Sequence, residues 1–161
     1  MIDGISPDAE IVTNNKGGKQ SRAIGAFHLV DPDFLYGFYE HQYQLANPLI
    51  KYMSGDISKD EMTQRVLEQV PDALIQIAKV LEYGANRYSP NNWRLIPEED
   101  HLNHALIHLY ALEKEDKQDD HLGHFLTRLM MVYATEKSVG FDYTKPMKIE
   151  KIFEDLENET S

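Results

Sequence analysis

The chain has 161 residues, of which 42% are hydrophobic and 27% charged, as is ordinary for one soluble globular domain. It contains no cysteine, which excludes disulfides, zinc–thiolate sites and thiol nucleophiles. Its formal net charge of −11 argues against broad nucleic-acid binding, because nucleic-acid-binding surfaces are normally basic.

The net charge and the hydropathy also limit which partners and which cellular compartment are compatible with the sequence. An anionic small molecule needs local positive charge in an acidic protein, and divalent ions held by the excess carboxylates would supply it. No apolar run approaches the roughly 20 residues that span a bilayer, and residues 1–10 are acidic rather than signal-like. We therefore expect a cytoplasmic protein with no membrane partner and no nucleic-acid partner.

The first 30 residues contain four glycines and no regular period, and they predict an extended or looped N-terminal arm. Within the arm, two glycines lie between Lys16 and Lys19. Backbone amides and ammonium groups in such a loop can surround phosphate oxygens. The spacing is not that of a P-loop, so a flexible basic loop is the alternative interpretation.

Residues 31–53 are dense in aromatic side chains, and Pro32 is suited to the first turn of a helix. These aromatics would line a pocket or form a core or oligomer interface. Ser58 followed by Glu61 is a capping box that predicts a short helix to about Gln69.

The second half of the chain predicts the main helices. Pro71 and Asp72 begin a predicted helix that stops near Gly84 or shortly after, and the turn chemistry of residues 88–96 predicts a loop. Further helices are predicted over residues 97–114, 119–137 and, more weakly, 148–156. No strand of useful length shows period-two alternation, so we predict an all-α bundle of four to five main helices. The apolar face of the first of these helices is predicted to comprise Leu74, Ile77, Ala78 and Leu81.

Five of the seven histidines fall within two neighbouring helices. His101 and His108 project in nearly the same direction, with His104 about 60° away. His121 and His124 form a second pair, and Asp120 lies on their stripe. Because a short turn joins the helices, they should pack antiparallel with both stripes facing each other, as in bundle metal sites. The predicted metal ligands are His104, His108, Asp120, His121 and His124, and carboxylates from Glu82, Asp116, Asp119 or Asp120 would complete the shell.

Each of these side chains could also have a purely structural role. Histidines on a helix face are often satisfied or surface residues, and His101 in particular could lie in an exposed first turn. Glu82, at the end of an apolar helix, is either a metal ligand or simply exposed. His28 and His41 are isolated and receive no role.

The segment from Glu82 to Arg94 is the second candidate. Its single tryptophan, Trp93, could stack on a base, while Arg87 and Arg94 could pair with phosphates. Alternatively, Trp93 is a core anchor that holds the loop on the bundle.

Four segments together resemble the dATP/dGTP diphosphohydrolase domain family, which is common in bacteriophages. They are KGGKQS (16–21), KVLEYGANRYSPNNWR (79–94), EDHLNHALIHLYA (99–111) and DDHLGHFLTR (119–128). The resemblance covers residues 14–30 and 71–135. The chain is then one domain, 1–161, with an arm (1–30), a probable insertion (33–70), core helices (71–137) and a C-terminal tail or helix (138–161).

The resemblance implies an all-α fold related to the MazG-like nucleotide pyrophosphohydrolases. It implies hydrolysis of dGTP and dATP to the monophosphate and pyrophosphate, in a host cytoplasm if phage-encoded, by a dimer or tetramer. MazG-like enzymes hold magnesium with acidic pairs, whereas the comparable spacing here carries His101 with His104 and His121 with His124. Such a nitrogen-rich shell would favour cobalt, manganese, zinc or nickel over magnesium. The expected cofactor is a divalent ion, with Mn, Co, Mg and Zn all open.

The mechanism expected from these residues is metal-assisted phosphoanhydride hydrolysis. The predicted catalytic residues are Glu82, Asp119 and Asp120, with Glu82 or Asp119 as general base. The predicted nucleotide-binding residues are Lys16, Gly17, Gly18, Lys19, Gln20, Arg87, Tyr88, Asn92, Trp93 and Arg94.

Three rival functions are kept. The same pocket could bind or sequester a nucleotide signal without turnover. A phosphohydrolase of the HD type would need an adjacent His-Asp pair, and the chain has only the reverse order, Asp120-His121. A structural helical module would carry its histidines incidentally.

Overall fold

The computed structural model describes residues 2–39 and 44–135, and over these residues the chain is mainly helical. This confirms the prediction of an all-α fold, while the predicted helix over residues 148–156 lies outside the described residues. None of the described helices combines the length and apolar character of a membrane span. The helices are α1 (Pro32–Tyr39), α2 (Ala46–Met53), α3 (Lys59–Gln69), α4 (Ala73–Arg87), α5 (Glu98–Glu113) and α6 (His121–Thr135).

Helices α5 and α6 form the centre of the bundle. His108 contacts His121 and His101 contacts Arg128, so the contacts run in opposite directions along the two helices and the pair is antiparallel. Helix α5 is buried on nearly every side, and its apolar residues pack with those of α6 and with α2 and α3. Burying a side chain such as Leu or Phe contributes about 1.5–3 kcal/mol. Fully buried side chains of this core include Leu49, Ile50, Met62, Leu106, Leu109, Phe125 and Leu126.

Local capping signals set the helix starts. The side chain of Ser58 accepts a hydrogen bond from the backbone N–H of Glu61 at 3.1 Å, which confirms the predicted N-cap of α3. Helix α5 follows Pro97 and carries three acidic residues in its first turn, where the helix dipole favours them. Asp120 caps α6 by accepting from the backbone N–H of Gly123 at 3.0 Å.

The predicted apolar face of α4 is partly wrong. Ile77 is buried and Leu81 packs partly buried against the core, but Leu74 is 79% exposed and Ala78 is exposed as well. Helix α4 packs on the bundle mainly through α6, so only the stripe containing Ala73 and Ile77 is covered. Leu74 and Ala78 lie about 100° round the helix from that stripe.

The N-terminal segment is folded onto the bundle rather than extended from it. It contains a hairpin of two three-residue strands, β1 (Ile11–Thr13) and β2 (Lys19–Ser21), with Val12 opposite Gln20. A short 3-10 turn (Phe27–Leu29) follows. Side-chain amides of the bundle hold this segment: Asn103 accepts from the backbone N–H of Phe27 at 2.7 Å and donates to the carbonyl of Gly25 at 2.8 Å.

The hairpin turn needs its glycines for two different reasons. Gly17 has a φ of +85°, which L side chains rarely adopt. At Gly18, a Cβ atom would lie 2.9 Å from the carbonyl oxygen of Leu95. Gly18 therefore allows the hairpin to approach the 3-10 turn Asn92–Leu95 closely.

Candidate active site

A cavity of about 420 Å³ lies between the N-terminal segment, the end of α4, the Asn92–Leu95 turn and the facing sides of α5 and α6. Its volume is within the range of small-molecule sites. It brings together side chains predicted from three separate segments of the sequence. The predicted residues that line it are Lys19, Glu82, Arg87, Tyr88, Asn92, Trp93, His104, His108, Asp119 and His124.

The remaining predicted residues do not line the cavity. Lys16 and Gly17 form the exposed hairpin turn, while Gly18 packs against Leu95. Asp120 is occupied as the cap of α6, and His121 lies behind the cavity wall. Gln20 and Arg94 also lie outside the lining, and both contact residues that form it.

Three side chains form a hydrogen-bonded chain from the α5–α6 connection into the cavity wall. Asp116 Oδ2 lies 2.6 Å from His121 Nε2, and His121 Nδ1 lies 3.0 Å from His108 Nδ1. The side chains of Asp116 and His121 are only 2% and 1% exposed, whereas His108 lines the cavity. A buried carboxylate is therefore linked to a cavity-facing imidazole through one intermediate imidazole. We call Asp116, His121 and His108 the relay.

Asp116 is the anionic end of the relay. Its carboxylate accepts from the Gln118 side-chain amide at 2.8 Å and from the backbone N–H of Ile2 at 3.2 Å. The hydrogen bond of Gln118, followed by that of His121, holds the pKa of Asp116 well below its usual range. Because an ionised carboxylate can only accept, His121 Nε2 carries a proton.

The direction of the hydrogen bonds in the relay determines which ring nitrogen of His108 carries the proton. Burial, followed by the neighbouring imidazoles of His124 and His121, lowers the pKa of His108 well below its usual value of 6.5, so His108 is neutral near pH 7. When His121 is also neutral, its Nδ1 accepts and His108 Nδ1 donates. His108 Nε2 then carries a lone pair and is the nitrogen available to the cavity.

A second imidazole–carboxylate pair adjoins the relay. His124 Nε2 lies 3.4 Å from Asp119 Oδ1, and both side chains are partly exposed. The His124 ring stacks on His108 with centroids 4.9 Å apart. Burial raises the pKa of Asp119, but the hydrogen bond and charge of His124 outweigh it, and the net pKa is lowered. Asp119 is thus ionised at neutral pH beside the relay.

The other part of the cavity wall contains a half-buried arginine, Arg128, that sequence reasoning missed. Arg128 Nη1 donates to His101 Nδ1 at 2.9 Å and to Gln20 Oε1 at 3.3 Å. His101 is fully buried rather than exposed in a first turn, and burial with the charge of Arg128 lowers its pKa to about 3. The available signal was that Arg128 lies four residues after His124, on the same face of α6.

The hairpin presents Lys19 to the cavity through a paired hydrogen bond. Asn92 Oδ1 accepts from the backbone N–H of Lys19 at 2.9 Å, and Asn92 Nδ2 donates to the Lys19 carbonyl at 2.6 Å. Both ends of the Asn92 amide are used in this way, so Asn92 positions Lys19. Arg87, at the end of α4, is partly exposed and lines the cavity as a second cation.

Trp93 is both a core anchor and a lining residue of the cavity. It lines the cavity, and its carbonyl accepts from His101 Nε2 at 3.0 Å. The Arg94 guanidinium lies over the Trp93 ring, 4.2 Å from its centroid, so Arg94 supports the indole. The tryptophan is anchored to the bundle and still offers surface to the cavity.

The five histidines do not form a histidine cage for a metal. Within residues 2–39 and 44–135, no three His, Asp or Glu side chains are grouped closely enough to share one ion. Both ring nitrogens of His101 and of His121 are engaged by protein partners. The donors that fit an ion are the adjacent Asp119 and His124, together with oxygens of a bound phosphate, which commonly complete a magnesium shell.

Comparison with known proteins places this chain within a family. Residues 53–143, more than half of the chain, match the family described as dATP/dGTP diphosphohydrolase, N-terminal. The chain belongs to this family. The match includes α3 to α6 and therefore every predicted histidine and carboxylate of the site, while the hairpin lies outside it. Searches of curated proteins and of solved structures found no match.

Proposed function

We propose that this member of the dATP/dGTP diphosphohydrolase family hydrolyses purine deoxynucleoside triphosphates to the monophosphate and pyrophosphate, with a divalent metal ion. The observation that carries the proposal is one cavity lined both by imidazole–carboxylate groups and by cations. The relay and the Asp119–His124 pair lie together, and the cations Lys19 and Arg87 line the same space. A phosphoanhydride needs both a base for water and positive charge for its oxygens.

The base in this proposal is His108 rather than Glu82, Asp119 or Asp120. Water attacks phosphorus, the bond to the pyrophosphate oxygen breaks, and the proton of the water passes to His108 Nε2. His108 can then release its Nδ1 proton to His121 Nδ1, 3.0 Å away. The positive charge arrives on His121 beside ionised Asp116 instead of remaining on buried His108. The low pKa of His108 is thereby compatible with its acting as a base.

Asp119 and His124 would hold the divalent ion, with Glu82 as the further carboxylate that lines the cavity. When bound, the ion would offset phosphate charge and lower the pKa of a water molecule. Lys19 and Arg87 would pair with the phosphate tail. Trp93 and Tyr88 would face the purine, because aromatic side chains provide stacking surfaces for bases.

Purified protein tests the proposal directly. It is incubated with dGTP, dATP and their ribonucleotide counterparts, each with Mn²⁺, Co²⁺, Mg²⁺ or Zn²⁺, and products are separated by chromatography. We expect a deoxynucleoside monophosphate and pyrophosphate from at least one purine substrate. His124→Ala should lose this activity, while Lys79→Gln, an exposed change on α4, should retain it. Nucleotide binding without product under every metal would instead indicate a sequestering protein.

Metal removal is a separate prediction. Treatment with a chelator should abolish hydrolysis, and adding back Mn²⁺ or Co²⁺ should restore it. Because Asp119 and His124 are two adjacent donors and no third is grouped with them among the described residues, we expect the ion to bind more tightly in the presence of a nucleotide than in its absence. Calorimetric titration of metal with and without a non-hydrolysable nucleotide measures this. Equal affinities would argue for a complete protein site.

The oligomeric state stays a prediction. Light scattering on the purified protein would decide between a monomer and the expected dimer or tetramer. The cytoplasmic location likewise stays a prediction.

A further inference from the structure

Arg128 is a half-buried cation whose hydrogen bonds go to neutral groups. Its Nη1 atom donates to His101 Nδ1 and to Gln20 Oε1. Among the described residues, no carboxylate oxygen lies within ion-pair distance of the guanidinium. The charge of Tyr88, followed by that of Asp100, favours the charged form of Arg128, and Asp100 itself accepts from Gln20 Nε2 at 3.1 Å. Burial lowers the pKa of Arg128 to about 10, so it remains charged at neutral pH.

Both acceptors of Arg128 are held in one orientation by partners behind them. His101 Nε2 donates to the carbonyl of Trp93, which leaves Nδ1 as an acceptor. Gln20 Nε2 donates to Asp100, which leaves Oε1 as an acceptor. Neither acceptor carries a negative charge. The network therefore orients the guanidinium without neutralising it.

The guanidinium of Arg128 has further N–H donors on a residue that lines the cavity. A guanidinium has five N–H donors, and the two recorded bonds use those of Nη1. Arg128 lines the cavity that also contains Lys19 and His124. A cation whose hydrogen-bond partners are neutral keeps its charge for an anionic ligand, and a planar fork of N–H donors matches the oxygens of a phosphate.

We propose that Arg128 is the anchor of an oxyanion subsite that takes a phosphoryl group of the ligand. The identity of the ligand in this inference rests on the proposed function. The phosphate-binding role of Arg128 does not require that the ligand be hydrolysed. Arg128 lies one helical turn from His124 on the same face of α6, about 5–6 Å away between Cβ atoms. A phosphoryl group on Arg128 is thus held beside the Asp119–His124 pair and the relay. Gln20 and His101 are positioning residues for this subsite.

The test uses inorganic pyrophosphate as the probe, in the presence of chelator so that no metal contributes. Isothermal calorimetry on the whole chain should detect binding to the unmodified protein. Arg128→Gln should weaken it by about 10- to 100-fold, the usual range for a charged hydrogen bond, and Arg128→Lys by less. Arg65→Gln is the matched control, because Arg65 is an exposed cation paired with Glu61 on α3.

A second measurement keeps the inference testable if Arg128→Gln does not fold. Gln20→Met leaves the guanidinium in place and removes one of its two acceptors, so pyrophosphate affinity should fall less than in Arg128→Gln. Unchanged affinity in Arg128→Lys and Gln20→Met, or no pyrophosphate binding by the unmodified protein, overturns the subsite. Binding through Arg128 without hydrolysis of any nucleotide overturns the proposed function and leaves the subsite standing. Nucleotide hydrolysis with an unchanged KM in Arg128→Gln overturns the subsite and leaves the proposed function standing.

Discussion

At the scale of residues, the histidines of α5 and α6 differ according to which ring nitrogens are engaged. His101 and His121 are fully engaged by protein partners and lie behind the cavity wall. His108 keeps Nε2 available to the cavity, and His124 is paired with Asp119. Histidines that are identical in the sequence therefore separate into positioning groups and groups that can meet a ligand.

Replacing Asp116 with asparagine tests the relay. The amide cannot stabilise positive charge on His121, so we expect kcat to fall by about 10²-fold or more, with little change in KM. Steady-state kinetics measure the effect, and Asp33→Asn, an exposed change on α1, is the control. The ¹⁵N chemical shifts of the His108 ring should also change. Unaltered kcat and ring shifts in a folded Asp116→Asn protein would remove the relay from the mechanism.

Helical spacing predicted which region would carry the site, because residues three and four positions apart share a face. Of the five metal ligands predicted from that spacing, His104, His108 and His124 line the cavity, whereas Asp120 and His121 do not. Asp116 is predicted only as a possible metal ligand, although its partners Gln118 and His121 lie within five residues of it. Arg128 is not predicted as a site residue, because its partner Gln20 is distant in sequence. Such pairings depend on how the N-terminal segment folds back, which local periodicity does not encode.

At the scale of elements, the hairpin and the Asn92–Leu95 turn act as one unit. Asn92 bonds both backbone groups of Lys19, and Asn14 Nδ2 donates to the carbonyl of Leu95 at 2.7 Å. The hairpin lies outside the matched family segment, yet it supplies Lys19 to the cavity. The sequence predicted the positions of α3 to α6 well because caps and periodicity are local, whereas α2 and the two short strands gave no comparable signal.

Replacing Gly18 with alanine tests this unit. The added Cβ would press on the Leu95 carbonyl, and the strain should cost about 1–3 kcal/mol and displace Lys19. We expect a lower unfolding temperature and a raised KM for the nucleotide. Gly37→Ala is the control, since nothing lies within 4 Å of its Cβ position, and this helical site should be neutral or slightly stabilised. Equal behaviour of the two variants would argue against close packing at Gly18.

At the scale of the whole molecule, three histidines of α5, two of them buried and one half-buried, couple stability to pH. Burial lowers the pKa of His104 and His108 well below 6.5, and that of His101 to about 3. The unfolded chain therefore binds protons that the folded chain does not. Stability is fully present above about pH 6.5 and is lost as the pH falls, at up to about 1.4 kcal/mol per pH unit for each histidine.

Urea unfolding at about pH 7.5, 6.5 and 5.5 measures this coupling. We expect the midpoint to fall steeply only below about pH 6.5, well above the range in which ordinary carboxylates titrate. A midpoint that is constant across this range, with an unchanged m value, would mean that these imidazoles are not buried in the neutral form.

The position of Trp93 gives the protein an optical reporter of its own. The chain has one tryptophan, and it lines the cavity with the Arg94 guanidinium over its ring. All indole emission therefore originates at the cavity wall. Entry of a purine or a change in local polarity alters the emission of that single fluorophore. Ligand occupancy and binding rates can thus be followed by stopped-flow fluorescence on unlabelled, unmodified protein.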